Sequence, residues 1–266
     1  MSSENENLKS TNKLLIVVII IGAFFLGALV NKTSVSNENT ATKTTQQAQN
    51  QNDDTQTAQP TVSIENIKAL FNDKSNIVIG DKNSKNLIVE ISDPSCPYCH
   101  VAGGMDPELN KQVGGQFTLK SEGGTYTAPV PEIKKMVDEG KAAFVYLYAN
   151  GHGAGEMAAK ALYCAHDQGK FWAAHELIMS NAGYNLMNNV VKNDKTKSQE
   201  LADFLSSAVD KTKLKQCLDS GKYDKKLADD MTTATSLNFQ GTPDFYINTS
   251  NFVGAQNWTT MQSALK

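Results

Sequence analysis

The pentapeptide Cys96-Pro97-Tyr98-Cys99-His100 carries the chemistry most visible in this chain. Its two cysteines, three apart, directly follow an apolar strand-like run, Leu87-Ile88-Val89-Glu90-Ile91-Ser92. A strand that leads into Cys-x-x-Cys at a helix start presents a reactive dithiol. One helical turn brings the sulfurs together, and the first-turn amides stabilise a thiolate at the first cysteine. Cys96 is then the exposed nucleophile and Cys99 its more buried partner. A low thiol pKa makes Cys96 a good leaving group and its disulfide oxidising. Pro97 suits the first turn, where its missing donor costs nothing. The same residues also read as Cys-x-x-Cys-His, the haem c attachment motif, with His100 as axial ligand.

A second element lies far downstream, at Gly241-Thr242-Pro243-Asp244-Phe245-Tyr246-Ile247. A proline entering a strand cannot donate to the ladder, and a cis bond is the usual reason to keep one at such a bend. A cis Thr242-Pro243 loop beside the dithiol would leave a backbone edge free for an extended substrate segment.

The elements that must hold these residues follow from pattern. Ile77-Val78-Ile79, Leu87 to Ser92 and Ala142 to Ala149 read as strands, the second buried on both faces. A helix is expected from Cys96 to about Val113, and another over Glu132 to Glu139. Gly114-Gly115, Gly123-Gly124, Pro129 and Pro131 punctuate the stretch around them. Helical patterns then dominate: Glu156 to His166, Phe171 to Ser180, Ser198 to Val209 with Ser198 as cap, Lys211 to Leu218, and Tyr223 to Leu237. Phe245-Tyr246-Ile247 and Phe252-Val253 read as a hairpin, and a last helix spans about Thr259 to Leu265. The order predicts an α/β layer interrupted by a helical insertion at about residues 152–238.

The chain has 266 residues, 40% of them hydrophobic, and a net charge of −3, which gives no electrostatic preference for nucleic acid. All 25 basic residues are lysine, so bidentate arginine clamps for phosphate or carboxylate are unavailable. Leu14 to Val30 is uncharged, near the lower limit for a membrane span. It predicts a transmembrane anchor over residues 14–30, with residues 1–13 cytoplasmic and the catalytic domain outside the bacterial cell membrane. A cleaved signal peptide is the competing reading, although Ala28-Leu29-Val30 is a poor cleavage site. Residues 31–61, rich in Asn, Thr, Gln and Ser, read as a flexible linker reaching roughly 30 Å. The folded body is expected over residues 62–266.

The sequence resembles the DsbA-type thiol–disulfide oxidoreductases of the thioredoxin-like superfamily. The stretches that carry the resemblance are Val89-Glu90-Ile91-Ser92-Asp93, Cys96-Pro97-Tyr98-Cys99, Ala161-Leu162-Tyr163-Cys164-Ala165, Gln168-Gly169-Lys170-Phe171-Trp172, Gly241-Thr242-Pro243 and Gly254-Ala255-Gln256. They cover nearly all of residues 75–266. The resemblance implies a thioredoxin fold with an inserted helical domain and no cofactor. Cys96 matches the surface nucleophile, Cys99 the buried cysteine, Pro243 the cis-proline and Thr242 the residue before it. Glu90 matches a buried acid that could shuttle protons to or from Cys99; the alternative is a strand glutamate facing solvent. His100 departs from the residue of some members and either tunes the thiolate or faces solvent.

Cys164 and Cys217 lie in the helical block. In an exported chain the leading reading is a structural Cys164–Cys217 disulfide; two buried free thiols, or a zinc site with His166 and His175, are the alternatives. The expected function is oxidation of reduced exported protein clients through Cys96–Cys99, with a membrane redox partner for reoxidation. An isomerase or reductase of the same fold is the alternative, since Pro97-Tyr98 and Thr242 serve either role. From other classes come a c-type haem electron carrier and a copper-delivery module.

Overall fold

The structure is a computed structural model, described here over residues 61–266. The expected cytoplasmic N-terminus, anchor and nearly all of the linker lie outside the described residues. Among those described, no helix is long and apolar enough to cross a membrane.

In chain order the elements are α1 (Ile64–Asn72), β1 (Ile77–Ile79), β2 (Leu87–Ser92), α2 (Pro97–Gly103), α3 (Pro107–Val113), α4 (Pro129–Asp138) and β3 (Ala143–Tyr148). The inserted helices follow: α5 (Glu156–His166), α6 (Phe171–Ile178), α7 (Asn181–Asn185) running into a π-turn at Leu186–Val191, α8 (Ser198–Phe204), α9 (Lys211–Asp219) and α10 (Asp224–Ser236). The hairpin β4 (Asp244–Ile247) and β5 (Ser250–Val253) and the short α11 (Trp258–Met261) close the chain.

The five strands form one sheet in the order β1-β3-β2-β4-β5. β2 and β3 run parallel, joined by a crossover through α2 to α4; the other pairs are antiparallel. β2 is central, and all six of its residues are buried. Both faces are covered, which is why it reads as a nearly continuous apolar run. On one face Val89 and Ile91 meet Ile67 and Phe71 of α1 and Leu237 just past α10. On the other, Ile88, Phe144, Tyr146 and Phe245 meet Val101 of α2, Ile133 of α4 and the insertion residues Leu162 and Phe171.

The helix expected from Cys96 to Val113 is two helices. Gly104 ends α2 with φ +67°, and a Cβ there would lie 2.6 Å from Ala128 Cβ. Asp106 then caps α3, accepting from Leu109 N at 3.1 Å, and Pro107 opens its first turn. α4 starts three residues earlier than expected, with Pro129 and Pro131 in its first turn, where proline is tolerated. Ser198 does not cap α8; it is the first helical residue, and its hydroxyl donates to Asp219 Oδ1 on α9. α1 and the helical turn over residues 181–191 were not anticipated.

Cys164 on α5 and Cys217 on α9 are disulfide-bonded, 53 positions apart in sequence. Free thiols and a zinc site at this pair are thereby overturned. Among the described residues no group of three His, Cys, Asp or Glu side chains could hold a metal. A cross-link closing so long a loop restricts the unfolded chain. Replacing both residues with Ala is therefore expected to lower stability by about 2–4 kcal/mol. A lower denaturant midpoint, with the alkylation rate of Cys96 unchanged, is the result to look for.

Candidate active site

β2 delivers the chain to a tight turn at residues 93–95, closed by Cys96 N–H donating to Asp93 O at 2.9 Å. Cys96 occupies the N-cap of α2 in extended conformation, and Pro97 begins the helix. The first-turn amides of Cys99 and His100 donate to Cys96 O at 3.0 and 3.2 Å. Both cysteines are unbonded. Cys99 is fully buried and Cys96 only 5% exposed, so the nucleophile is less open than expected. Met179, just past the end of α6, packs with them in one small cluster.

The two thiols are chemically unequal. Cys96 is held down to about 6, first by a hydrogen bond from the Cys99 thiol and then, against the opposing effect of burial, by the Thr242 hydroxyl and the amides of Cys99 and Tyr98. Cys99 is pushed well above the ordinary thiol value by its burial and by donating to Cys96. As a thiol, Cys96 Sγ donates to Thr242 O at 3.4 Å. Thr242 Oγ1 has no partner in that arrangement and is available to the thiolate. The Thr242–Pro243 bond is cis, directly before β4. Thr242 and Pro243 thus stand beside Cys96 although they follow it by almost 150 residues. Pro97 is half-buried in the first turn, and Tyr98 is 45% exposed, edge-on to Phe117.

His100 does not face solvent. One turn below Cys96, it is fully buried, with ring nitrogens 3.0 Å from Met179 O and 2.8 Å from Pro94 O. Burial holds its pKa below the usual histidine value, opposed by those two carbonyls. A neutral ring has one N–H for two acceptors, so only the imidazolium would satisfy both. Neither nitrogen is free to ligate iron, which removes the structural basis of the haem-attachment reading.

Glu90 does not face solvent either. It is fully buried, both carboxyl oxygens lack a hydrogen-bond partner, and burial raises its pKa to about 7. Ser92, two residues on and on the same face of β2, has a hydroxyl that counters the rise at Glu90 and, separately, at Cys99. Asp93 Oδ1 accepts from Ser95 N and Oγ at 2.8 and 2.7 Å. Its Oδ2 accepts from Gly151 N and His152 N at 2.9 and 2.7 Å.

Sequence reasoning missed Asp93, Ser92 and Met179 as parts of the site. It also gave the Gly-rich turn 151–155 no role there, yet a Cβ on Gly151 would fall 1.8 Å from Thr242 Oγ1, and one on Gly155 1.8 Å from Asp93 Oδ1. Asp93 had a readable signal: Asp two before Ser95, at the end of a strand, is an Asx-turn pattern.

Two thiols so different in acidity, one helical turn apart, exchange disulfides, and the chain is a protein thiol–disulfide oxidoreductase. It belongs to the thioredoxin family: the family model described as "Thioredoxin" matches residues 128–266, the half that carries Thr242-Pro243 and the Cys164–Cys217 pair. Over 227 residues it is 25% identical to a Rickettsia felis protein named "Putative protein-disulfide oxidoreductase", covering 82% of this chain and 72% of that protein. Among solved structures, alpha-DsbA1 from Wolbachia pipientis is similar with a TM-score of 0.54 and 18% identity, covering 74% of this chain and 92% of that one. Oxidised BdbD from Bacillus subtilis gives a TM-score of 0.52 and 20% identity, over 71% of this chain and 90% of that one. At these identities the two structures share the fold.

Two measurements follow from the site. Thiolate absorbance of the reduced protein should titrate with a midpoint near 6, and Cys99→Ala should move that midpoint upward, because the Cys99 thiol is the largest stabiliser of the Cys96 anion. Glu90 gives a stability signature. Folded, it keeps a proton to about pH 7; unfolded, it releases it near 4.5, so stability falls as pH rises between those values. About 1.4 kcal/mol per unit of pKa difference puts the loss on the order of 3 kcal/mol. Glu90→Gln should be the more stable protein by that order above pH 7, with the advantage vanishing below the unfolded value.

Proposed function

We propose that this enzyme introduces disulfides into exported proteins through the Cys96–Cys99 pair. The observation that carries this reading is the low pKa of Cys96. A thiolate stable at neutral pH favours the reduced enzyme, and an enzyme stabilised when reduced oxidises its clients. A client thiolate attacks Cys96 Sγ, the Cys96–Cys99 bond breaks, and Cys99 leaves and takes a proton. The client's second thiolate then attacks its own sulfur in the mixed disulfide, and Cys96 departs as the stabilised thiolate. Two electrons have passed to the enzyme, and an acceptor that withdraws them must restore the disulfide; a membrane redox partner fits this role.

The Thr242 backbone beside Cys96 gives an extended client segment a place to lie. The bonded Cys164–Cys217 pair suits an oxidising compartment. The uncharged run at residues 14–30 would tether the domain at the outer face of the bacterial cell membrane. The isomerase or reductase direction has less support. α1, which precedes the sheet, packs against the sheet of its own chain, so its apolar face is occupied within the chain.

The reduction potential of Cys96–Cys99 separates the directions. A value near −120 mV, about that of a strong oxidant, is expected; one near −270 mV, about that of thioredoxin, would mark a reductase. In cells, Cys99→Ala should accumulate mixed disulfides on Cys96, and a lysate without them would count against client oxidation.

A further inference from the structure

Cys99 must gain a proton each time the pair is reduced and lose one each time it is oxidised. It is completely buried, and so is everything that surrounds it on the sheet side. β2 places Glu90 and Ser92 on one face, and the Asp93 amide, the next donor along the chain, reaches Cys99 Sγ at 3.4 Å. Ser92 therefore stands at the strand end against Cys99, with Glu90 one pleat behind. Glu90 Oε1 and Oε2 and Ser92 Oγ are all buried without a hydrogen-bond partner. Three orphaned oxygens in one place are costly unless they serve a second state of the site.

We infer that Ser92 is the catalytic hydroxyl through which Glu90 exchanges a proton with Cys99. This rests on the disulfide-exchange reading and names the path that reading leaves open. When a thiolate attacks Cys96 Sγ, the Cys96–Cys99 bond breaks and its electron pair goes to Cys99 Sγ. The Ser92 O–H proton passes to that sulfur while the Glu90 proton passes to Ser92 Oγ. Ser92 ends unchanged, Cys99 is a thiol, and Glu90 is a carboxylate that recovers its proton from water. Oxidation runs the transfer in reverse. The attacking thiol is the reductant, so no further reagent is needed.

Ser92 is suited to the role by its rotor: the hydroxyl donates to either anion, and it lowers the pKa of both Glu90 and Cys99. Other titratable groups facing this pocket are Tyr146, paired with Glu90 across β3, Tyr163 from α5 behind it, and Cys96. Both tyrosines are held neutral by burial. The Asp93 carboxylate is turned away, onto Ser95 and the Gly151–His152 amides. From β4, Phe245 opposite Glu90 brings no proton.

The test is single-turnover reduction of the oxidised full-length protein by dithiothreitol across pH, corrected for the thiolate fraction of the reagent. The wild-type rate should fall as pH rises through about 7, where Glu90 loses its proton. Ser92→Val should lose that pH dependence and be slower roughly tenfold or more on the acid side. Ser92→Thr, which keeps the hydroxyl on nearly the same shape, should retain both. Adding Glu90→Gln to Ser92→Val should change nothing further, while Cys96 titrates normally in every variant. The proposal is overturned if Ser92→Val keeps the wild-type profile, if Thr and Val slow the reaction alike, or if Glu90→Gln slows Ser92→Val again. Since the reductant is a small thiol, these outcomes are independent of whether the enzyme oxidises clients in cells.

Discussion

The Asp93 carboxylate is the tie on which the geometry of the site depends. One oxygen fixes the turn ahead of Cys96 through Ser95; the other gathers the amides at Gly151 and His152 that follow β3. Those glycine-rich residues in turn lie so close to Thr242 that no Cβ fits at Gly151. The strand end, the start of the insertion and the Thr-Pro loop are thus held by one buried side chain. Its burial is tolerable because each oxygen accepts more than one hydrogen bond. Thr242 could not otherwise present its carbonyl and hydroxyl to Cys96 with consistent geometry.

Given that frame, the difference between the two thiols follows from depth. They share a helix turn, but Cys96 caps it and receives donors, whereas Cys99 sits inside it and is fully buried. The hydrogen bond between them pushes each further from the ordinary thiol value, one down and the other up. The effect is cooperative: Cys99 stabilises the Cys96 anion best while it is protonated, and burial keeps it protonated. Redox poise is therefore a property of the turn, not of the dipeptide Pro97-Tyr98 alone.

Much of this was legible in the sequence because it was written in strong local signals. The β2 run, the Cys-x-x-Cys at its end, the distal Thr242-Pro243 entry and the helices at 156–166, 171–178, 211–219 and 224–236 emerged near their observed bounds, whereas the helix expected to run to Val209 ends at Phe204. α1 was missed although Ser63 with Asn66 forms a capping box and Ile67, Leu70 and Phe71 lie on one helical face. The break at Gly103-Gly104 before Asp106-Pro107 also had a sequence signal, namely a C-terminal glycine followed by a capped proline start. The environment of His100 and the roles of Asp93 and Ser92 had weaker ones. A histidine after Cys-x-x-Cys looks exposed until the insertion is folded over it, and a serine on a buried strand looks like a small filler until the sulfur it touches is located.

The insertion is what converts a thioredoxin-type layer into this particular site. It supplies Met179 against both sulfurs, the carbonyl that receives one His100 nitrogen, and Tyr184 edge-on to the His100 ring. Its π-turn also brings Asn188 to donate to Ser95 O at 3.2 Å, one residue before Cys96. A widened helical turn at such a point is a common feature of functional sites, since it re-aims one side chain without ending the helix. These contacts help to enclose Cys96, which is only 5% exposed. Beside this enclosed thiol the exposed side chain is Tyr98, 45% open to solvent.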